Sequence, residues 1–382
     1  MSEIRLRGMT WDHRRAVDPL LATQAMFAKA HPGIAIEWST RPLHGFEFTP
    51  LAELARSFDV IILDHPFCGD IAATQCLLPV DDILPAEKHQ AFVGLSLQTY
   101  VYAGKTWAVP VDAACQVAVS RPDLMTRLAA PAPSNWSQLL ELGGIAARHG
   151  QKLAIGLRGV HSLMTFFTLC ANAGRPCATS PDESFAEPDA AQAALEQMRA
   201  LLSFCPKEAL DWSSIDLHDV MVGRDDLVFC PAVYCYATYA EADQRRTLRF
   251  HDFPGPRGPG GSTIGGTGLG ISAHCAHPEA AMAFARYAAS AETQRGFAQH
   301  HGQPARIEAW RDGEIDARFG GCYSATLRTM EQCWIRPRFA GYLGFQAKAG
   351  TLIERHLRGD IAQRELLDQL QREFESCGRP AQ

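Results

Sequence analysis

Apolar residues run without interruption over 60–63, and the polar pair Asp64 and His65 follows them directly. A continuous apolar run of this kind, flanked by helical patterns, is typical of a parallel strand that is covered on both faces. The surrounding chain, residues 27–84, has the order helix, turn, strand, helix and strand. The pattern therefore predicts an α/β fold with a buried strand over 59–64.

Proline and glycine mark the ends of the neighbouring elements. A helix is predicted to begin with Asp18 as its N-cap and Pro19 in its first position, and the Pro32-Gly33 pair stops it. Alternating apolar positions over 34–38 then predict a strand. The last apolar stripe at helical spacing consists of Leu366, Leu367, Leu370 and Phe374.

Charge and hydropathy narrow the class of protein. The 382 residues carry a formal net charge of −6 without a basic cluster, which argues against nucleic acid or an anionic membrane surface as partner. We interpret Arg5, Arg7, Arg14 and Arg15 as solvated surface. Because no apolar run approaches the roughly 18 to 20 residues that span a bilayer, we expect a soluble chain without a membrane-spanning segment.

The usual signatures of a metal site, a nucleotide site or a serine nucleophile are absent from the sequence. It contains no C-x-x-C, H-E-x-x-H or G-x-S-x-G, and the glycines over 265–270 fit neither the dinucleotide nor the P-loop spacing. Cys115 and Cys230 are the candidates for a cysteine nucleophile, but no base or electropositive setting accompanies them. We therefore predict no catalytic residue, no metal ligand and no cofactor.

Short motifs follow one another along almost the whole chain. They are Trp11; Phe27 with His31, Pro32, Gly33, Ile34 and Glu37; Asp59 to Asp64; Leu78 to Asp82; Gly104 to Val111; Asn135 to Leu140; Gly265 to Ser272; Arg336 to Tyr342; and His356 to Asp360. In this order and spacing they resemble extracellular solute-binding protein family 1, the substrate-binding proteins of sugar-type ABC transporters. Each motif alone is weak, whereas the ordered series is a strong signal.

The resemblance implies both a fold and a function. The fold is a two-lobe, periplasmic-binding-protein-like α/β fold (type II, Venus flytrap) with discontinuous lobes and a hinge. The function is capture of a small polar organic ligand, first of all a carbohydrate, for an ABC-type importer. The implied partners are this solute and the permease subunits of the importer. The chain is expected to be a monomer in the periplasm or outside the cell.

Two of the boundaries between the lobes are visible in the sequence. Pro110-Val111-Asp112 precedes a strand that is predicted to begin near Gln116, and the run over 254–261 has the Pro/Gly-rich composition of a linker. Closure of two hinged lobes around a ligand is the expected motion. The resemblance adds the third crossing, and the predicted partition is residues 1–110 plus 262–305 for lobe one, 112–255 plus 312–382 for lobe two, and hinge crossings near 110–112, 255–261 and 303–312.

Two departures from the family leave an alternative open. The segment from Met1 to Trp11 passes directly into a strand pattern, without the apolar core and cleavage site of an export signal. The twelve cysteines are many for an oxidising compartment and suit a reducing cytoplasm. The alternative is a cytoplasmic enzyme or ligand sensor on the same fold, in which Asp64, His65 and a cysteine are the acid, base and nucleophile candidates.

Polar residues at strand ends are the candidate ligand contacts of lobe one, because open α/β sheets bind small ligands beyond the carboxyl ends of their strands. Trp11 either stacks its indole on a sugar ring or covers a helix end, and Asp12 accepts hydrogen bonds from hydroxyl groups. Asp64, followed by His65, either accepts such bonds or caps the next turn. Asp112 either contacts the ligand or holds the hinge backbone.

In lobe two, Tyr234 is predicted either to form a wall of the ligand site or to pack in the core. Arg158 and Arg336 either meet an anionic group of the ligand or form structural salt bridges. A turn is predicted over 265–267, and the resemblance implies ligand contact there by Gly265, Gly266 and Thr267.

Overall fold

The computed structural model describes residues 3–42, 49–241 and 246–377. The chain divides into two compact units, each assembled from three segments. The first unit comprises Met1–Ala114, Gly265–Ile315 and Arg338–Ala340, and the second comprises Cys115–Ile264, Asp316–Pro337 and Gly341–Gln382. The hinge crossings that the sequence predicts stay a prediction.

Strands and helices alternate along the described residues. The strands are β1 Ile4–Trp11, β2 Ile34–Arg41, β3 Val60–Asp64, β4 Leu77–Leu78, β5 Val101–Tyr102, β6 Lys105–Thr106, β7 Val109–Ser120, β8 Lys152–Leu153, β9 Leu227–Tyr234, β10 Arg249–His251 and β11 Ile264–Ser272. The α-helices are α1 Arg14–Ala30, α2 Leu51–Ser57, α3 Cys68–Thr74, α4 Pro122–Leu128, α5 Trp136–Arg148, α6 Val160–Asn172, α7 Pro188–Leu202, α8 Ser214–Gly223, α9 Pro278–Ala288, α10 Ala291–Gln299, α11 Ile307–Trp310, α12 Gly313–Arg318, α13 Cys322–Glu331, α14 Tyr342–Arg358 and α15 Gln363–Cys377. Short 3-10 helices lie at His65–Phe67, Ala86–Ala91, Gln98–Tyr100, Lys207–Asp211 and Ala237–Ala240.

The sheet of the first unit has the order β2-β1-β3-β11, and β4 also pairs with β11. Strand β1 is parallel to both β2 and β3, whereas β11 is antiparallel to β3. All four residues over 60–63 are at most 1% exposed, as the unbroken apolar run predicts. Strand β3 is therefore central to the core of this unit.

Helix α1 begins five residues earlier than the sequence predicts. Its N-cap is His13, whose ring Nδ1 accepts a hydrogen bond from the Arg15 backbone N–H at 3.1 Å. Pro19 lies inside the helix, so the prediction of a start at Asp18 was wrong. The reason is that an imidazole nitrogen supplies the capping acceptor, a role that sequence patterns assign to Ser, Thr, Asp or Asn. Gly33 follows the helix end with φ +101°, which only glycine adopts readily.

In the second unit β9 lies between β7 and β8, antiparallel to β7 and parallel to β8, while β10 pairs with β7. Strand β7 already begins at Val109, so the prediction of a strand starting near Gln116 was wrong. The proline in this segment is compatible with strand geometry, because its fixed φ lies within the β region. The predicted stripe of α15 is confirmed for Leu366, Leu370 and Phe374, each 0% exposed.

Candidate functional site

The carboxyl ends of β1 and β3 lie side by side in the first unit. Gly8 pairs with Val60 and Met9 with Ile61, and continuing this register places Asp12 beside Asp64. Because β11 is antiparallel to β3, its first residues lie at the same edge, where Thr267 pairs with Asp64. The structure therefore brings six predicted site residues to one edge of this sheet: Trp11, Asp12, Asp64, Gly265, Gly266 and Thr267.

Trp11 and Thr267 line a small cavity in the first unit. This cavity also borders Arg15 and Asp112, and its volume of about 10 Å³ is that of roughly one water-sized sphere. Trp11 is 4% exposed and Thr267 is 8% exposed. Both side chains are therefore buried in this structure, and ligand contact by Trp11 and by Thr267 stays a prediction.

Asp112 and Arg15 form a buried ion pair in the first unit. Arg15 Nε donates to Asp112 Oδ2 at 2.7 Å and Arg15 Nη2 donates to Oδ1 at 2.6 Å. Arg15 is 5% exposed, so its interpretation as solvated surface was wrong; it follows the N-cap of α1 and its guanidinium lies in the unit's interior. Burial raises the pKa of Asp112, and the Arg15 guanidinium opposes this rise. Asp112 therefore has a buried structural partner in the first unit, and both of its predicted roles stay predictions.

Asp64 is held by its neighbour in the chain. Asp64 Oδ1 accepts a hydrogen bond from the His65 backbone N–H at 2.8 Å and lies 2.9 Å from His65 Nδ1. It thereby caps the 3-10 helix His65–Phe67, one of the two roles predicted for it. Its side chain remains 21% exposed, whereas His65 is 0% exposed. The buried His65 imidazole therefore orients the Asp64 carboxylate.

The segment Gly265–Thr267 lies within β11, so the prediction of a turn was wrong. Gly266 has φ +100°, and a Cβ on it would clash with the backbone carbonyl of Asp112. Glycine is required at position 266 because the backbones of Gly266 and Asp112 approach one another closely. In a sequence, such a close approach and a turn are both marked by glycine. The two glycines remain partly exposed at the sheet edge.

The two arginines predicted for lobe two differ in their surroundings in the second unit. Arg336 is 5% exposed and donates through Nη1 to Gln346 Oε1 at 2.9 Å, a structural contact. Arg158 lies in the segment after β8, and its side chain is 55% exposed. Its Nη2 lies 2.9 Å from Asp216 Oδ2. Only Arg158 is therefore accessible to a solute.

Tyr234 ends β9 and is half-buried opposite Gln116. The Gln116 side chain lies within the core, where it donates to Thr165 Oγ1 at 3.3 Å and accepts from Thr168 Oγ1 at 2.6 Å. The Gln116 backbone N–H also donates to Thr263 O at 3.4 Å. This network joins β7, the strand paired with β9, to the middle of α6. Nothing in the sequence pattern indicated that these three polar residues meet.

Sequence reasoning also missed Trp334 in the second unit. Its backbone pairs with that of Thr263. Thr263 O accepts a hydrogen bond from the Gln116 backbone N–H, and Gln116 pairs with Tyr234 at the end of β9. Trp334 is half-buried, and its ring lies 5.3 Å from that of Phe167. The signal available in the sequence was an aromatic residue just before Arg336.

The two cysteines considered as nucleophiles are poorly suited to that role. Burial raises the pKa of Cys230 to about 12 and raises that of Cys115 well above its usual range. Within 3–42, 49–241 and 246–377, no group of three His, Cys, Asp or Glu side chains is arranged to hold a metal ion. In the same ranges, no helix has both the length and the apolar composition to cross a membrane.

Comparison with known proteins identifies relatives of this chain. The sequence profile of the bacterial extracellular solute-binding proteins matches residues 22–309. Among curated protein sequences none matches. Maltose-bound MalE3 from T. maritima is 19% identical, with a TM-score of 0.83 over 98% of this chain and 99% of that chain.

Two further solved structures are similar throughout. The solute-binding protein of an ABC transporter from Thermotoga lettingae TMO, bound with α-D-tagatose, is 15% identical, with a TM-score of 0.83 over 98% of this chain and 100% of that chain. The corresponding protein from Agrobacterium radiobacter K84, in complex with ribitol, is 17% identical, with a TM-score of 0.80 over 98% and 99%. These similarities confirm the predicted two-lobe, periplasmic-binding-protein-like α/β fold.

Proposed function

We propose that this chain, which belongs to the bacterial extracellular solute-binding protein family, binds a hydroxyl-rich small molecule, a carbohydrate or polyol. The observation that carries the proposal is the pair of accessible carboxylates, Asp12 and Asp64, on neighbouring strand ends. Carboxylates accept charge-assisted hydrogen bonds from hydroxyl groups, and two of them side by side suit a solute with several hydroxyls. Maltose, tagatose and ribitol, the ligands of the three similar structures, are solutes of this kind.

In the first unit we assign the direct contacts to Asp12, Asp64 and the backbone of Gly265 and Gly266. His65 acts as a positioning residue, because it is buried against the Asp64 carboxylate. Trp11, Asp112 and Thr267 form the support behind this edge, since all three are buried and line the same small cavity. The support keeps the strand ends in place.

In the second unit we assign contacts to Tyr234, Trp334 and Arg158. Aromatic rings stack on the C–H faces of sugar rings, and both aromatic residues are partly exposed. Arg158 donates hydrogen bonds and adds a preference for a solute with an anionic group. Arg336 is assigned a structural role because it is buried against Gln346.

The proposal includes transport and location. Members of this family are extracellular, and we propose that this chain works outside the cytoplasm as the monomeric recognition subunit of an ABC importer with membrane permease partners. The alternative of an enzyme receives no support from the family or from the similar structures, which are binding proteins. Binding alone requires no chemical step on the solute.

The first test is a thermal-shift screen followed by calorimetry on two variants. Maltose, tagatose and ribitol are compared with organic acids and amines, because a ligand that binds only the folded protein raises the melting temperature. For the solute that binds, Asp64→Asn and Asp12→Asn should each lower the affinity roughly tenfold to a hundredfold, since each removes a hydrogen bond to a charged acceptor.

Asp368→Asn, on the exposed surface of α15, is the matched control and should leave the affinity unchanged. A melting temperature that rises only with organic acids or amines would contradict the carbohydrate assignment. Unchanged affinity in both test variants would contradict the assignment of the site. Tyr234→Ala and Trp334→Ala test the second unit separately by the same calorimetry.

A further inference from the structure

Two cysteines far apart in the sequence meet inside the second unit. Cys235 directly follows β9, and Cys322 is the first residue of α13. Their Sγ atoms lie 3.4 Å apart although 87 positions separate them in the chain. Cys235 is 3% exposed and Cys322 is 1% exposed. The sequence offers no sign of this pair, because it contains no short spacing that links the two.

We propose that Cys235 and Cys322 are a disulfide site, closed when the chain folds in the presence of a small-molecule disulfide. A disulfide places its sulfurs 2.03–2.05 Å apart, so these sulfurs must approach by about 1.4 Å. The flanking backbone can supply this shift. Gly320 and Gly321, with φ +61° and +80°, precede Cys322, and Cys235 lies in the irregular step between β9 and the 3-10 helix Ala237–Ala240.

The start of α13 favours reaction at Cys322. Thiolates are the nucleophiles of disulfide exchange, and the positive end of a helix dipole stabilises a thiolate on the first residue. The Cys322 thiolate attacks one sulfur of the disulfide RSSR, which forms a mixed disulfide and releases RS⁻. The Cys235 thiolate then attacks the Cys322 sulfur and releases the second RS⁻. The two protons from the cysteine thiols pass to the two released thiolates, so RSSR is reduced to two RSH and the protein pair is oxidised.

Other thiols nearby are less well placed. Cys115 interacts with Cys235 and Cys333, but burial raises its pKa well above the usual range, which disfavours its thiolate. Cys170 and Cys177 interact through their side chains elsewhere in this unit, on α6 and in the loop after it. The short sulfur–sulfur distance and the helix start together select Cys235 and Cys322.

Burial decides when the bond forms. A small-molecule disulfide has little access to either sulfur in the folded chain, so the pair should close while the second unit folds. The experiment therefore refolds the full chain from the reduced, denatured state. One sample contains a mixture of oxidised and reduced glutathione, and the other contains a strong reductant. Disulfides are then mapped by mass spectrometry of peptides digested without reduction, with the remaining thiols blocked.

We expect a dominant link between Cys235 and Cys322. We also expect a melting temperature roughly 5 to 15 °C higher in the oxidised sample, because the bond closes a long loop in the unfolded chain. Cys235→Ser and Cys322→Ser should each abolish both the link and this temperature difference. Cys68→Ala is the control. This buried thiol of the first unit donates a hydrogen bond to Thr99 O, and its removal should leave the difference in melting temperature between the oxidised and reduced samples unchanged.

The peptide map of the unchanged chain decides the matter even if a serine variant folds poorly. A dominant link between any other pair, including Cys170 with Cys177, would overturn the proposal. So would a chain that refolds to the native state in the glutathione mixture and still contains both Cys235 and Cys322 as thiols. The outcome is independent of whether the chain binds a carbohydrate, because it concerns only the covalent state of the second unit.

Discussion

His13 shows how a single side chain takes its properties from its surroundings. It caps α1 through its ring Nδ1, which must be unprotonated to accept the Arg15 backbone N–H. Burial, helped by the charges of Arg15 and Arg14, lowers the pKa of His13 to about 4. In the unfolded chain the same imidazole titrates near 6.5. The folded state therefore binds fewer protons than the unfolded state between these two values.

This difference predicts a pH dependence of stability. The contribution of neutral His13 is complete above about pH 6.5 and is lost as the pH falls from there to about 4, by at most about 3 kcal/mol. In His13→Asn the amide oxygen still accepts the capping bond and does not titrate, so this variant should lose less stability. Urea unfolding at pH 7.5 and pH 4.5 measures the difference. His149→Asn, at an exposed helix end, is the control; an equal loss in the unchanged chain and in His13→Asn would disprove the role of His13.

At the scale of elements, apolar patterns predict which segments are helices and strands more reliably than they predict which residues are fully buried. Leu366, Leu367, Leu370 and Phe374 share one stripe of α15 in the sequence. The structure buries three of them completely and leaves Leu367 half-buried. The rings of Phe185 and Phe345 pack around Phe374, which fixes which side of the stripe lies inside. The depth of burial follows from the packing partners and not from the spacing alone.

Two leucines of this helix form a matched pair for a test. Leu370→Ala should lower the free energy of unfolding by about 2 to 5 kcal/mol, because it removes a fully buried side chain and leaves a cavity. Leu367→Ala should cost clearly less, since its side chain is partly solvated already. Chemical denaturation of both variants measures the two values. Equal losses would contradict the deeper burial of Leu370 relative to Leu367.

At the scale of the whole molecule, each compact unit depends on segments from distant parts of the chain. Helix α14 packs on α6, where Ser162 Oγ donates to Gly350 O at 2.9 Å and Glu354 Oε2 accepts from the Gly159 N–H at 2.9 Å. Gly350 lies so close to the backbone of Gly159 that a Cβ would not fit. Helices α14 and α15 thus belong to the core of the second unit. The first unit uses no residue beyond Ala340.

A shortened chain tests this dependence. A chain that ends at Ala340 keeps every segment of the first unit and loses α14 and α15 from the second. We expect hydrogen exchange to show protected amides in β1 and β3 and loss of protection in β8 and β9, because α6 loses its packing partner. A chain that ends at Cys377 is the control and should keep both sets protected. Protection of β9 in the shorter chain would contradict the division into units.

Much of the fold was predictable from the sequence, and part of the candidate site was too. The apolar run over 60–63 and the stripe of α15 are local patterns, and the ordered motifs indicated the family. The rule that open α/β sheets bind ligands beyond the carboxyl ends of their strands selected Asp12 and Asp64 as candidates, and the pairing of β1 with β3 then places them side by side. Arg15 and Trp334 were missed because nothing in their local context distinguishes a buried arginine from a solvated one, or an accessible aromatic residue from a packed one. The start of α1 was misplaced because proline and aspartate are only statistical markers of a helix end.

The sequence by itself determined the order of helices and strands over 27–84, the buried character of β3 and membership of a solute-binding family. These features depend on periodicity and short motifs, which neighbouring residues encode. Only the tertiary structure decided that Arg15 pairs with Asp112, 97 positions away, and that Cys235 meets Cys322, 87 positions away. Such pairs arise where strands and helices pack across long stretches of chain. Their partners are selected by the shape and burial of the assembled unit, which no local pattern contains.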